Sequence, residues 1–151
     1  MLDPNELLYA YTKGYFPMAD SEVNNEIYWY QPEARGILPL YDFHIPKNLK
    51  RLYKKGVFDL EIDKDFEGVI RACAARKETW ISEEIIEAYI GLHKLGFAHS
   101  FECYYDQKLV GGLYGVAIRK AFFGESMFHT KTDASKIALV YLVEHLKQQD
   151  F

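Results

Sequence analysis

Leu109-Val110-Gly111-Gly112-Leu113-Tyr114-Gly115-Val116-Ala117, then Gly124-Glu125-Ser126-Met127-Phe128, then Asp133-Ala134-Ser135-Lys136, is the stretch from which the fold is read. The first two segments are apolar and strand-like, and the third opens a helical pattern. Glycines at 111, 112 and 115 weaken a strand unless it bends, bulges or is approached closely by another element. A bulge would splay neighbouring strands and leave backbone N–H donors for a carbonyl that gains charge. Close packing of Tyr114 or of a helix explains the same glycines equally well.

Working outward, residues 101–105 and 108–118 read as a hairpin with Asp106-Gln107 at its turn, and 121–124 begins another short strand. Asp133 or Thr132 caps the last helix, which buries Ile137, Ala138, Tyr141, Leu142, His145 and Leu146 on a broad face. Upstream, 57–62 alternates as a strand and 66–75 reads as a helix. Ser82 caps a further helix that Gly96 ends, with Glu83 and Glu84 in its first turn. One strand, two helices, three strands and a helix indicate an α+β or mixed α/β domain with a largely antiparallel centre.

The amino-terminal third is organised differently. Residues 2–13 read as a short helix capped by Asp3 or Asn5 and ended by Gly14, with 15–18 as a turn. Short strands are expected at 27–31 and 36–41, divided by Pro32-Glu33-Ala34-Arg35-Gly36. Pro46 then starts a helix that Gly56 closes. Residues 1–55 are therefore expected to form a small unit and 56–151 the main domain.

The chain has 151 residues, 49% of them hydrophobic, enough to bury a core without disulfide staples. Its twelve tyrosines and ten phenylalanines fill a core or line a pocket. No export signal and no apolar run near the ~20 residues needed to cross a bilayer is present, so the expected place is the cytoplasm, with no membrane partner. A net charge of −4 argues against indiscriminate nucleic-acid coating. Yet Lys47, Lys50, Arg51, Lys54 and Lys55 recur at helical spacing, so residues 46–55 carry +5 and the remainder −9. That face suits a phosphate backbone, with Leu49, Leu52 and Tyr53 packing behind it; a merely solvated helix face is the competing reading.

Other chemistry is argued down by spacing. Cys73 and Cys103 lack metal-knuckle or redox pairing and read as buried thiols. The histidines at 44, 93, 99, 129 and 145 show no metal-binding grammar, so no metal is expected. Ser126 lies in no nucleophile elbow, and His129 three residues on does not make a dyad of it. Glu125, set among apolar residues, needs a partner: an internal cation, backbone donors or a cationic ligand.

Tyr11-Thr12-Lys13-Gly14-Tyr15-Phe16-Pro17, Trp29-Tyr30-Gln31-Pro32, Thr79-Trp80-Ile81, Ala98-His99-Ser100, Val110-Gly111-Gly112-Leu113-Tyr114-Gly115-Val116, Gly124-Glu125-Ser126-Met127-Phe128 and Ala134-Ser135-Lys136 resemble the motifs of the leucyl/phenylalanyl-tRNA–protein transferase family, in its order. The resemblance implies an acetyltransferase-like fold behind a small amino-terminal domain, and an enzyme that needs no cofactor. Its donor would be Leu-tRNA or Phe-tRNA. Its acceptor would be the α-amino group of a protein or peptide beginning with Arg or Lys, marked thereby for N-end-rule degradation. Glu125 matches the family's active-site glutamate and would orient the cationic acceptor. Gly111, Gly112, Leu113 and Tyr114 would form the floor of the site, with Trp29, Leu113 and Met127 in the pocket for the Leu or Phe side chain. Ser126 would hydrogen-bond locally. Lys47, Lys50, Arg51, Lys54, Lys55 and Lys136 would serve the tRNA.

The family pattern continues past this last helix into a strand bearing Asp-Cys-Gln, so the resemblance predicts that residues 1–151 lack a final strand; with the fold complete, a monomer is expected. Three other readings compete: an inactive tRNA-binding remnant, an acyltransferase using another donor such as acyl-coenzyme A, and an interaction protein. The missing Arg/Gln-x-x-Gly-x-Gly/Ala pyrophosphate loop counts against the second.

Overall fold

The computed structural model describes residues 2–31, 39–75, 79–149 and 151. At its centre is a four-stranded antiparallel sheet in the order β3 (Asp59–Ile62), β4 (Ala98–Tyr105), β5 (Lys108–Ile118), β6 (Ala121–His129). Side chains alternate across its pleat, so β4, β5 and β6 each feed two cores. One core takes Ala98, Tyr114 and Val116 from the sheet. It packs them with Leu7 and Tyr11 of α1 (Pro4–Thr12), Val69 and Ile70 of α3 (Phe66–Ala74), and Ile85 and Tyr89 of α4 (Glu83–Lys94). The other takes Phe101, Cys103 and Leu113, and packs them with Leu49 of α2 (Lys47–Lys55) and Ile137 and Leu142 of α5 (Ala134–Gln148). The α+β reading with an antiparallel centre holds.

Local chemistry starts the helices where the sequence signals it. Asp3 accepts the N–H of Asn5 at 2.9 Å to open α1, and Ser82 caps α4 through the N–H of Ile85. Caps of this kind contribute about 1 kcal/mol each. Asp133 does stand at the start of α5, but in a left-handed conformation and without a side-chain cap.

Three expectations need correction. Residues 15–18 are not a turn: β1 (Phe16–Asp20) pairs antiparallel with β2 (Glu26–Tyr30), and Pro17 lies opposite Trp29. A two-stranded ribbon leaves each strand one unpaired side, where a proline lacking its N–H is tolerated. Of the strand expected at 36–41, residues 36–38 lie outside the described residues, as do 32–35 of the expected divider, and 39–41 are irregular and turn-like. Finally, β6 does not stop at 124; it runs nine residues, because a bulge absorbs the polar interruption.

The first 31 residues share the core of the main sheet. Leu2, Leu7, Tyr11 and Ala19 pack with residues of α3 and α4, and the N–H of Ala19 donates to the carbonyl of Trp80 at 2.9 Å. Among the described residues, no helix is long and apolar enough to cross a membrane. Burial pushes the Cys103 thiol up to about 12, as expected of an unreactive core cysteine.

A charged clasp ties the end of β3 to the turn between α4 and β4. Asp63 accepts from the backbone N–H of Ser100 at 2.9 Å and meets His99 Nδ1 at 2.7 Å, while His99 Nε2 lies 3.0 Å from the carbonyl of Gly96. Both ring partners are acceptors, so only a doubly protonated imidazole satisfies them. The bond to Asp63 raises the His99 pKa from its ordinary 6.5 against the opposing effect of burial. Burial works to raise the Asp63 pKa, but the bonds from His99 and Ser100 outweigh it and leave the carboxyl below its ordinary 3.8. The His99 contribution to stability is therefore complete below its unfolded pKa and lost as pH rises through the folded one. That of Asp63 is complete above its unfolded value and lost as pH falls through its folded one. Between about pH 4 and 6.5 both are present. Thermal unfolding of the wild type is expected to show Tm falling by on the order of 2–4 °C as pH rises past this window, with no such fall attributable to this site in His99→Gln.

Candidate active site

Glu125 occupies its position because of a register shift. In β6, Ser126 lies opposite Tyr114 of β5 but Gly124 lies opposite Gly115, leaving Glu125 as the extra residue of a bulge. Counting back by twos from Phe128, which packs in the core with α1, α3 and α4, an unbroken strand would turn 126 and 124 to that side and Glu125 away. The bulge resets the alternation, so Glu125 and Phe123 face the helices. Gly115 makes the bulge possible, because a Cβ there would sit 2.3 Å from the carbonyl oxygen of Phe123.

Tyr11 of α1 donates its hydroxyl proton to Glu125 Oε1. The Tyr11 hydroxyl is in turn 2.6 Å from that of Tyr89 on α4. Both tyrosines are buried, Tyr11 at 2% and Tyr89 at 0% exposure, whereas Glu125 is only half-buried. Burial, then the neighbouring Tyr89 and Glu125, hold the Tyr11 phenol well above its ordinary pKa, so it keeps its proton for the carboxylate. The sequence motifs contain Tyr11, but its place in an apolar i, i+4 stripe with Leu7 reads as packing. No sequence signal distinguishes the hydroxyl's role from that of the ring.

The other expected residues divide between buried and open. Gly111, Gly112, Leu113 and Tyr114 are all buried in β5, flanked by β4 on one side and β6 on the other. A Cβ on Gly111 would lie 2.4 Å from that of Ala134, so close packing of α5 explains this glycine. Ser126 is half-buried beside Glu125, and the ring of His129 lies 3.5 Å from Ser135 Oγ. Met127 is exposed on β6. Lys136 projects from the first turn of α5, with Nζ 3.9 Å from Asp133 Oδ1.

Trp29, 40% exposed on β2, lines a cleft of about 600 Å³ with Tyr9, Ala10, Lys13 and Tyr15. This cleft opens on the side of α1 opposite Tyr11 and Leu7, so Trp29 and Glu125 flank the same helix from two sides. On α2, Lys47, Lys50, Arg51, Lys54 and Lys55 line a shallow hollow of about 400 Å³. Leu49, Leu52 and Tyr53 turn inward against the core that α5 covers, as their spacing predicts.

A second buried carboxylate went unpredicted. Glu102 in β4 is fully buried and accepts from the N–H of Asp65 at 2.8 Å, from Ser100 Oγ at 2.6 Å and from Tyr104 Oη at 2.9 Å. Three internal donors satisfy it, one at the start of α3 and two on β4 itself, and it does not open toward a ligand. The reasoning that singles out Glu125, a carboxylate in an apolar strand, applies equally to Glu102. Among the described residues, no group of three or more His, Cys, Asp or Glu could hold a metal ion.

Residues 37–151 match the family model of the leucyl/phenylalanyl-tRNA protein transferase, and residues 1–33 match the model of its N-terminal domain. The chain belongs to this transferase family. It is 54% identical, over 96% of its length, to the leucyl/phenylalanyl-tRNA–protein transferase of Paramagnetospirillum magneticum, of which it spans 71%. It is 54% identical over 99% of its length to that of Akkermansia muciniphila, spanning 79% of it. The transferase of Zymomonas mobilis is 49% identical and is spanned over 58% of its length. In the terms of these family models, Tyr11 lies in the N-terminal domain and Glu125 in the transferase domain, so their hydrogen bond crosses from one to the other.

Proposed function

We propose that this chain transfers leucine or phenylalanine from aminoacyl-tRNA to the α-amino group of proteins that begin with Arg or Lys, in the cytoplasm. The observation that carries this reading is Glu125, half-buried on a bulge and hydrogen-bonded by the Tyr11 hydroxyl. An aminoacyl ester is already activated, so the enzyme has chiefly to align ester and amine and to support the charge that gathers on the carbonyl oxygen. An α-amine titrates at about pH 8, so its deprotonation costs little near neutrality. Glu125 orients that amine or its cationic side chain. Ser126 and Met127 continue the same wall, and β5, with Gly111, Gly112, Leu113 and Tyr114, is the floor that holds it in place.

Trp29 and the aromatic cleft beside it suit a flat or apolar group such as the adenosine end of the tRNA or the amino acid it carries. Such a pocket discriminates by only about 1–3 kcal/mol per methylene, enough to admit two bulky side chains and disfavour small ones. Residues 1–55 carry the basic helix, and 56–151 the central sheet of the transfer fold. Lys47, Lys50, Arg51, Lys54 and Lys55 contact phosphates, with Lys136 as an additional cation.

Labelled Leu-tRNA and a peptide beginning with Arg test the reading directly. Label is expected to pass to the peptide and not to one beginning with Asp; absence of labelled peptide overturns the proposal. The basic helix is tested with Lys50→Glu/Lys54→Glu. Two lost phosphate contacts are expected to raise KM for aminoacyl-tRNA on the order of 10-fold at moderate salt and to flatten its salt dependence. Transfer from a short aminoacyl-adenosine donor is expected to be unchanged, and an equal loss with both donors would remove α2 from the tRNA surface.

A further inference from the structure

The hairpin that joins β4 to β5 ends in Tyr104-Tyr105-Asp106-Gln107-Lys108, with Asp106 and Gln107 both in the left-handed region, so the strands reverse within two residues. That tight turn fixes which side chains share a face. Tyr105 stands opposite Lys108 in the ladder, and residues directly opposite one another project to the same side. Tyr105 follows Phe101 and Cys103 by twos, so that side is the one α2 and α5 cover. Phe58, which packs in the same core, meets the Tyr105 ring with centroids 6.3 Å apart. Lys131, just ahead of α5, lays its Nζ 4.0 Å from the centre of that ring.

Phe58 is three residues beyond Lys55, at most about 11 Å of chain, so the basic face of α2 ends beside Tyr105. Lys54, Lys55 and Lys108 are exposed, Lys131 is half-buried and the Tyr105 ring is open to solvent. Carboxylates of the sheet at this end turn the other way: Asp59 stands opposite Tyr104, and Glu102 points to the start of α3. Asp106, in the turn itself, is the one acid between Tyr104 and Lys108. Among the described residues neither Lys108 nor Lys131 ion-pairs with a carboxylate, whereas Lys136 and Lys147 each lie close to one.

We propose that Lys108 and Lys131, the latter propped on Tyr105, form a second phosphate-binding surface for the donor tRNA, continuous with the basic face of α2. The inference rests on the reading of aminoacyl-tRNA as donor and of α2 as its contact. An aromatic face attracts an ammonium through its quadrupole. It also limits where the flexible lysine stem can go, so part of the ordering that phosphate binding requires is present in the free protein. Five cations on α2 and two more at its end suit a polyanion with repeated charges, which a nucleic-acid backbone is and a single small anion is not. Each phosphate neutralised releases counterions, so affinity and its salt dependence grow together along the surface.

Binding of tRNA measured by fluorescence anisotropy over a range of salt, beside transfer from aminoacyl-tRNA, tests the proposal. Lys108→Glu/Lys131→Glu is expected to weaken binding on the order of 10-fold at moderate salt and to reduce the slope of log Kd against log salt by about 1 to 2. The control is Lys64→Glu/Lys94→Glu, which changes net charge equally on the α3 and α4 side, where Lys64 lies over Tyr104 and Lys94 ends α4. Its affinity is expected to stay within about twofold of wild type. Tyr105→Ala is expected to weaken binding about threefold and Tyr105→Phe to retain it, and Tyr105→Ala should cost nothing further in a Lys131→Ala background. Unchanged affinity in Lys108→Glu/Lys131→Glu overturns the proposal, as does an equal loss in the control pair, which would make net charge the cause. The same loss for Tyr105→Ala with and without Lys131 refutes the propping role. A wild type that binds tRNA but transfers nothing overturns the transferase reading instead, and the binding comparison still decides the surface.

Discussion

Glutamine in place of Glu125 is expected to lower transfer to an Arg-start peptide by about 100-fold, the loss of one charge-assisted hydrogen bond of up to ~3 kcal/mol, while leaving the fold intact. The substitution separates two roles of the carboxylate. A glutamine carbonyl oxygen can still accept from Tyr11, so the internal bond that orders the side chain survives. What disappears is the negative charge, and a cationic acceptor would register its loss. The defect is expected chiefly in kcat/KM for the acceptor, with binding of aminoacyl-tRNA retained. Steady-state kinetics with acceptor and donor varied in turn distinguish the cases. An unimpaired Glu125→Gln would reduce Glu125 to a structural acceptor for Tyr11 and withdraw it from the chemistry.

The two carboxylates in the sheet show what could and could not be read from the residues alone. Glu102 and Glu125 both interrupt apolar strands, and in both places sequence reasoning demands a partner. It cannot say whether the partner is internal. Glu102 meets Asp65 through the chain reversal from β3 into α3, and Ser100 and Tyr104 lie two residues to either side along its own strand. Glu125 meets Tyr11 from 114 residues away. Such encounters depend on how α1 and α4 settle on the sheet, which periodicity does not encode. Helix α4, by contrast, was legible to within a residue, because Ser82, Glu83 and Glu84 act locally on its first turn. The facing of Glu125 was not legible for a related reason: a bulge shifts alternation by one residue, so a count by twos from either end of β6 gives opposite answers. The β1 strand was not legible because a proline is tolerated where a strand has an unpaired side, and the two-stranded ribbon that gives Pro17 one is formed with residues 26–30.

Gly111→Ala is expected to lower Tm by about 4–10 °C, and Gly111→Val to prevent accumulation of folded protein. A Cβ at 111 would stand 2.4 Å from the Cβ of Ala134, 2.8 Å from its carbonyl carbon and 3.1 Å from the nitrogen of Ser135. None of these is the end of a flexible side chain. All belong to the first turn of α5, which can make room only by moving as a body. That helix carries Ile137, Ala138, Leu142 and Leu146 into the core it shares with Leu113 and Phe101, so lifting its first turn disturbs packing beyond the point of contact. Overpacking of this kind costs roughly 1–3 kcal/mol for one methyl group, which in a chain of this size corresponds to the stated fall in Tm. Valine adds two further carbons at the same crowded point. Gly124→Ala is the control, since nothing lies within 4 Å of a Cβ there, and its Tm is expected to stay within about 2 °C of wild type. Scanning calorimetry of the alanine variants is sufficient. If Gly111→Ala melts with the wild type, the close approach of α5 is not what requires glycine, and the reading of Gly111 as a backbone donor for the reacting carbonyl returns in its place.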